Sequence, residues 1–174
     1  MAKPQLVTRK TLSMELAEAL ADESVHASHA MNRNTVTAIC DESGILKAFR
    51  RPDLTNLGCV DFAILKARTA VKFNTATHVH WQAWEGQTMT QIGMSALDGV
   101  TVEGGGVPIR IGGELIGGIG VSGAQHWKED VDIIAAAFAK LGLDPPSDSY
   151  EAPRPVKARQ AIARKRSQTK RSGG

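Results

Sequence analysis

The chain has 174 residues, 42% of them hydrophobic and 22% charged, enough for one domain with a tail. Eight basic and no acidic residues lie between Arg154 and Gly174, leaving 13 basic against 18 acidic residues in positions 1–153. The basic pI therefore belongs to the tail, and a mildly acidic body offers no nucleic-acid-binding surface.

Thr11 to Met31 reads as a helix, with Leu12, Leu16, Ala19, Leu20, Val25, His26 and Ala30 at roughly helical spacing and Thr11 as N-cap. "TVTAICD" (35–41) and "ILKAFR" (45–50) flank an "ESG" turn and read as a hairpin. After a loop over 53–58, residues 59–73 are helical, with Ala63, Ala67, Ala70 and Val71 forming a small-residue face. "NTATHVHWQAWEG" starts another helix capped by Thr77, and 88–105 reads as loop with a short helix. Val107–Ile111 and Glu114–Val121 are strands around Gly112-Gly113, a strong hairpin signal because both turn positions need positive φ. "HWKEDVDIIAAAFAKLGL" is the last helix, closed by Gly142 and stopped by Pro145-Pro146, with Ser122 and Gln125 spaced for a capping box. The order is α-β-β-α-α-β-β-α, an α+β domain over 1–146, followed by a disordered basic tail over 147–174.

Gly118, Gly120 and Gly123 spell G-x-G-x-x-G, yet the strand before them belongs to a hairpin and none follows the helix. A dinucleotide site needs a parallel βαβ unit, so no nucleotide cofactor is expected. Glycines inside a strand mark instead the close approach of a helix, a ligand or a second subunit.

The candidate site residues allow more than one chemistry. His126 and Glu129 share a helix face, the spacing of an acid–base pair, while Arg51 has the fork to hold a carboxylate or to pair with Asp53. This gives a catalytic set of His126, Glu129 and Arg51, with Trp127, Ser122, Gly118, Gly120, Asp130 and Asp53 around the ligand. The pocket is expected between the 105–123 hairpin, the start of the last helix and the Arg51 loop, with the glycines leaving room. The plainer reading makes Glu129, Asp130 and Asp132 complements of the helix dipole. His78 and His80, two apart on a helix, face different ways, and Trp81 and Trp84 read as core or interface. His26 and His29, one turn apart, read most simply as a helix face of mixed polarity. No metal site is assigned: Cys40 and Cys59 form no C-x-x-C. No leader or membrane span is visible, so a cytoplasmic protein is expected.

"DESGILKAFRRPD", "AILKARTA", "GGVPIRIGGELIGGIGVSG" and the "ED" before the final apolar helix occur in the order seen in the GlcG/HbpS-like, or haem-degrading-domain, family. The resemblance spans about residues 9–143 by motif order. It implies a profilin-like antiparallel sheet flanked by helices, a homo-oligomer, and binding of haem or iron or of another small molecule, with His26 or His29 as the candidate haem ligand. The alternative is a cofactor-independent isomerase, lyase or hydrolase acting on a small organic acid in a catabolic pathway, with His126 as acid/base. Beyond a small-molecule ligand and copies of itself, no membrane partner is expected, and nucleic acid only weakly through the tail.

Overall fold

The computed structural model describes residues 7–146. In chain order it holds α1 (Met14–Ala30), β1 (Val36–Asp41), β2 (Leu46–Arg50), α2 (Gly58–Phe73), α3 (Thr77–Ala83), α4 (Thr88–Ser95), β3 (Gly106–Ile111), β4 (Glu114–Ser122) and α5 (Trp127–Lys140). This is the expected α+β order, with α4 as the short helix inside the 88–105 segment. The tail from 147 onward lies outside the described residues.

The strands form one antiparallel sheet in the order β2-β1-β4-β3. Consecutive strands pair as the two hairpins, and β1 joins them by pairing with β4. Gly112 and Gly113, with φ of 60° and 80°, make the β3–β4 turn that only a residue tolerant of positive φ can make.

The two sheet faces carry different cores. On one, Ile39, Val107, Ile109, Ile119 and Val121 pack against Leu20 and Ala21 of α1 and Ile133, Ile134 and Phe138 of α5. On the other, Val36, Ala38 and Cys40 pack against Ala63 and Ala67 of α2. The glycines of β3 and β4 bring α2 down onto the sheet. A Cβ on Gly118 would stand 2.6 Å from the carbonyl oxygen of Ala67, and one on Gly120 would run into that of Ala63. Gly118 and Gly120 are therefore buried beneath a helix, which corrects the expectation that they make room for a ligand.

The helix starts also differ from expectation. Ser13, not Thr11, caps α1, its hydroxyl accepting from Leu16 N at 3.2 Å. Leu12 instead precedes the helix, its N–H donating to Ile116 O of β4 at 3.0 Å. The buried stripe of α1 runs through Ala17, Leu20, Ala21, Ser24 and Ser28, so His26 and His29 fall on the outer face. His126 caps α5 through its own ring, Nδ1 accepting from Lys128 N at 3.2 Å, in place of the capping box expected from Ser122 and Gln125. Thr77 lies inside α3, behind the cap residue Ala76, and its hydroxyl accepts from Gly106 N at 2.9 Å, tying α3 to β3.

Candidate functional site

A cleft of about 260 Å³ opens between α3, the 102–104 segment and the start of α5, lined by His78, Trp81, Val102, Glu103, Gly104 and Trp127. The seven-residue α3 puts His78 and Trp81 on one face, three residues apart. Trp127, the first residue of α5, lines the cleft beside them. Its indole stacks on the His78 ring at 5.1 Å between centroids and 14° between planes. The His126 ring leans on the same indole at 5.4 Å and 35°. Gly104 lets the indole lie flat on the backbone, because a Cβ there would come within 2.9 Å of it.

Behind Trp127 lies a charged frame. Lys66 and Asp130 are almost wholly buried, at 4% and 3% exposure, and pair at 2.9 Å. Lys66 Nζ also donates to Val121 O at 3.0 Å, and Asp130 Oδ1 accepts from Ala124 N at 3.2 Å. Burial pushes the Asp130 carboxyl up, while Lys66 and the Ala124 N–H draw it down. Such a pair persists in low dielectric only because its polar atoms are also hydrogen-bonded. Gly105, with φ of 106°, passes so close that a Cβ would meet Asp130.

The neighbouring carboxylate, Glu129, receives two bonds from Arg33, at 2.8 and 2.9 Å, and one from Gln125 N at 3.1 Å. These hold it well below the usual carboxylate range, at about 2, the Arg33 bonds first. The acid–base pairing of His126 with Glu129 expected from their spacing does not form: Arg33 occupies the carboxylate, and His126 Nδ1 is spent on the helix cap. Arg51 and Asp53 are exposed on the loop after β2, outside the cleft lining, with no ion pair between them. The expected pocket is thus corrected on two sides: the start of α5 borders the cleft, but the 102–104 segment stands in place of the 105–123 hairpin and α3 in place of the Arg51 loop. Ser122 is buried at the end of β4, and Asp130 serves Lys66 rather than the cleft.

His26 is exposed, its Nδ1 3.5 Å from Glu23, and His29 is exposed one turn on. His80 faces away from His78, as expected of residues two apart on a helix. It is buried, stacked on Trp84 at 4.7 Å and set edge-on to Phe73 at 5.0 Å, and neither ring nitrogen has a hydrogen-bond partner. Burial lowers its pKa below the ordinary histidine value. Cys40 is buried and its thiol is pushed up to about 11, chiefly by burial. Among the described residues no cluster of three or more His, Cys, Asp or Glu side chains could hold a metal ion, and no helix is long and apolar enough to cross a membrane.

Sequence reasoning weighed His78 only as one half of an unsuitable pair with His80, and it overlooked the 102–104 segment, Arg33 and the role of Lys66. A signal existed for Lys66: it shares the face of Ala63, Ala67 and Ala70, and a lysine in an alanine stripe needs a buried anion. Arg33 and Val102 sit in irregular segments without periodicity.

A family model described as "haem degrading protein HbpS-like" matches residues 12–139. The fold is similar to that of an HbpS double mutant from Streptomyces reticuli, at 27% identity and a TM-score of 0.72, covering 82% of this chain and 96% of that one. It is similar also to PduOC, solved in complex with haem, at 28% identity and a TM-score of 0.69, covering 79% and 99% of the two chains. A 15.0 kDa Citrobacter freundii protein, encoded in the dhaT-dhaS intergenic region, is 25% identical over 114 residues, 65% of this chain and 80% of that protein.

Proposed function

Because the chain belongs to the HbpS-like haem degrading protein family, we propose that it is a cytoplasmic small-ligand protein that binds haem in the cleft between α3 and α5. The carrying observation is an imidazole, His78, in a wall shared with Trp81, Val102, Gly104 and Trp127 and edged by the exposed Glu103. The likeness to PduOC, solved with haem, supports it.

The residues fit the group. A macrocycle is flat and apolar, and the partly exposed Trp81 offers a flat apolar face. Haem iron is commonly held by a histidine nitrogen, and His78 is the histidine in the cleft lining. Bound haem would supply an iron centre open to redox and ligand chemistry. His78 would hold it, Trp81 would cover a face and exclude water, and Trp127, fixed between His78 and Gly104, would border it. His26 and His29, on the outer face of α1, lack such walls.

The test is a hemin titration followed by absorbance. A Soret band should appear with the wild-type protein, and His78→Ala should shift or abolish it while His26→Ala and His29→Ala leave it unchanged. No band with the wild type removes the haem reading. A band moved only by the α1 variants places the ligand there instead. The enzymatic alternative, with His126 as acid/base, has less support, since Glu129 and Arg51 do not gather around His126.

We also propose that the chain assembles with copies of itself. Trp81 on α3, Met89 and Ile92 on α4, Leu97 just after it, and Leu54, Leu57 and Phe62 near the start of α2, are exposed apolar groups that an interface would cover.

A further inference from the structure

Trp127 is held from behind by two neighbouring carboxylates that work alike. Each accepts one backbone N–H of the turn leading to α5, Asp130 from Ala124 and Glu129 from Gln125. Each is gripped in turn by a cation from a different element, Lys66 of α2 and Arg33 of the α1–β1 connection. The turn between β4 and α5 is thereby fixed to α2 and to the α1–β1 connection. The indole it carries has no lateral slack, because Gly104 lies against one side and His78 is stacked on it.

We infer that Arg33 is a positioning residue for the cleft. It acts through Glu129 on the seat of Trp127, with the Lys66–Asp130 pair as the fixed second arm. Arg33 does not line the cleft. Its guanidinium meets the carboxylate through Nε and one terminal nitrogen, a two-bond pairing that sets orientation as well as distance. A lysine would bring the same charge without the fork. The pair is about a quarter exposed, so its removal leaves no fully buried charge, and the fold should survive. The inference rests on the reading of the cleft as the ligand site, and the experiment separates the two.

Protein labelled with fluorotryptophan gives one fluorine resonance per indole, and Trp127→Phe assigns that of Trp127. Arg33→Gln should move this resonance and leave that of Trp84 in place. Hemin affinity should fall about tenfold, the scale on which outer partners act on a bound group, while the thermal midpoint stays within a few degrees of wild type. Arg33→Lys should restore the affinity only in part. An unmoved Trp127 resonance in Arg33→Gln overturns the inference, as does full hemin affinity with a displaced indole. A thermal midpoint that collapses in step with affinity would overturn it too, reducing Arg33 to a prop for the fold. If the wild-type protein takes up no hemin, the haem reading fails, and the fluorine spectra alone decide whether Arg33 seats Trp127.

Discussion

Lys66 and His80 are both buried, yet they answer that burial differently. Lys66 has a carboxylate and a carbonyl; removing it strands the Asp130 charge in low dielectric. Lys66→Met should therefore cost about 3–5 kcal/mol of folding stability, measured by chemical denaturation. Adding Asp130→Leu should recover most of that loss, since the stranded charge goes with it. A single variant as stable as wild type would show that the pair contributes nothing. His80 has aromatic neighbours and no anion, so the folded state favours its neutral ring. Its pKa is depressed on folding; below the unfolded value of about 6.5 the unfolded chain binds a proton that the folded one resists. Its contribution is whole above that pH and declines as pH falls toward the folded value. His80→Phe, which keeps the stack on Trp84, should flatten the fall of the thermal midpoint below about pH 6.5. Parallel pH curves for the two proteins would contradict this.

At the scale of elements, the sheet and α2 meet where β3 and β4 lack side chains. Gly120→Ala would drive a Cβ into the α2 backbone at Ala63 and Ala67. The helix must lift from the sheet, at a cost of at least about 1–3 kcal/mol, and loss of soluble folded protein is the expected upper end. Gly113, in the hairpin turn, meets nothing within 4 Å of where a Cβ would stand, and only its φ of 80° restricts it. Asparagine tolerates that conformation, so Gly113→Asn should stay close to wild type in denaturation. Equal destabilisation by the two changes would refute the distinction between packing glycines and turn glycines. The same distinction shows how far the elements were legible. The Gly-Gly hairpin, the small-residue face of α2 and the closure of α5 by Gly142 follow from local rules. The stripe of α1 was misplaced because Ser24 and Ser28, polar in sequence, are buried: Ser24 bonds back to Leu20 O, and the Ser28 hydroxyl accepts from Thr35.

The whole molecule joins an acidic body to a basic C-terminal segment. A chain ending at Pro146 loses the eight basic residues after 153 and becomes net acidic. It should no longer be retained on a heparin column that retains the full chain, because retention follows local cationic charge. Retention of the shortened chain would put the polyanion-binding surface on the body. Size bears on the apolar faces of α3 and α4: light scattering should find more than one copy, and Met89→Asp with Ile92→Asp should reduce that number. A monomeric wild-type protein at micromolar concentration removes the assembly proposal.

By itself the sequence determined the α+β class, the element order and both hairpins, because periodicity, turn glycines and helix stops act over a few neighbouring residues. It also determined that G-x-G-x-x-G here is no nucleotide fingerprint, since the strand order around it is antiparallel. The motif order further pointed to the family. The site was decided only by tertiary structure. His78 and Trp127 are 49 positions apart and Arg33 and Glu129 are 96 apart; no local spacing encodes such meetings. The i, i+3 rule paired His126 with Glu129, and it failed because Arg33, brought in from the α1–β1 connection by the pairing of β1 with β4, binds that carboxylate in two charge-assisted bonds. A ring three residues away, already committed to capping its own helix, offers no match for them.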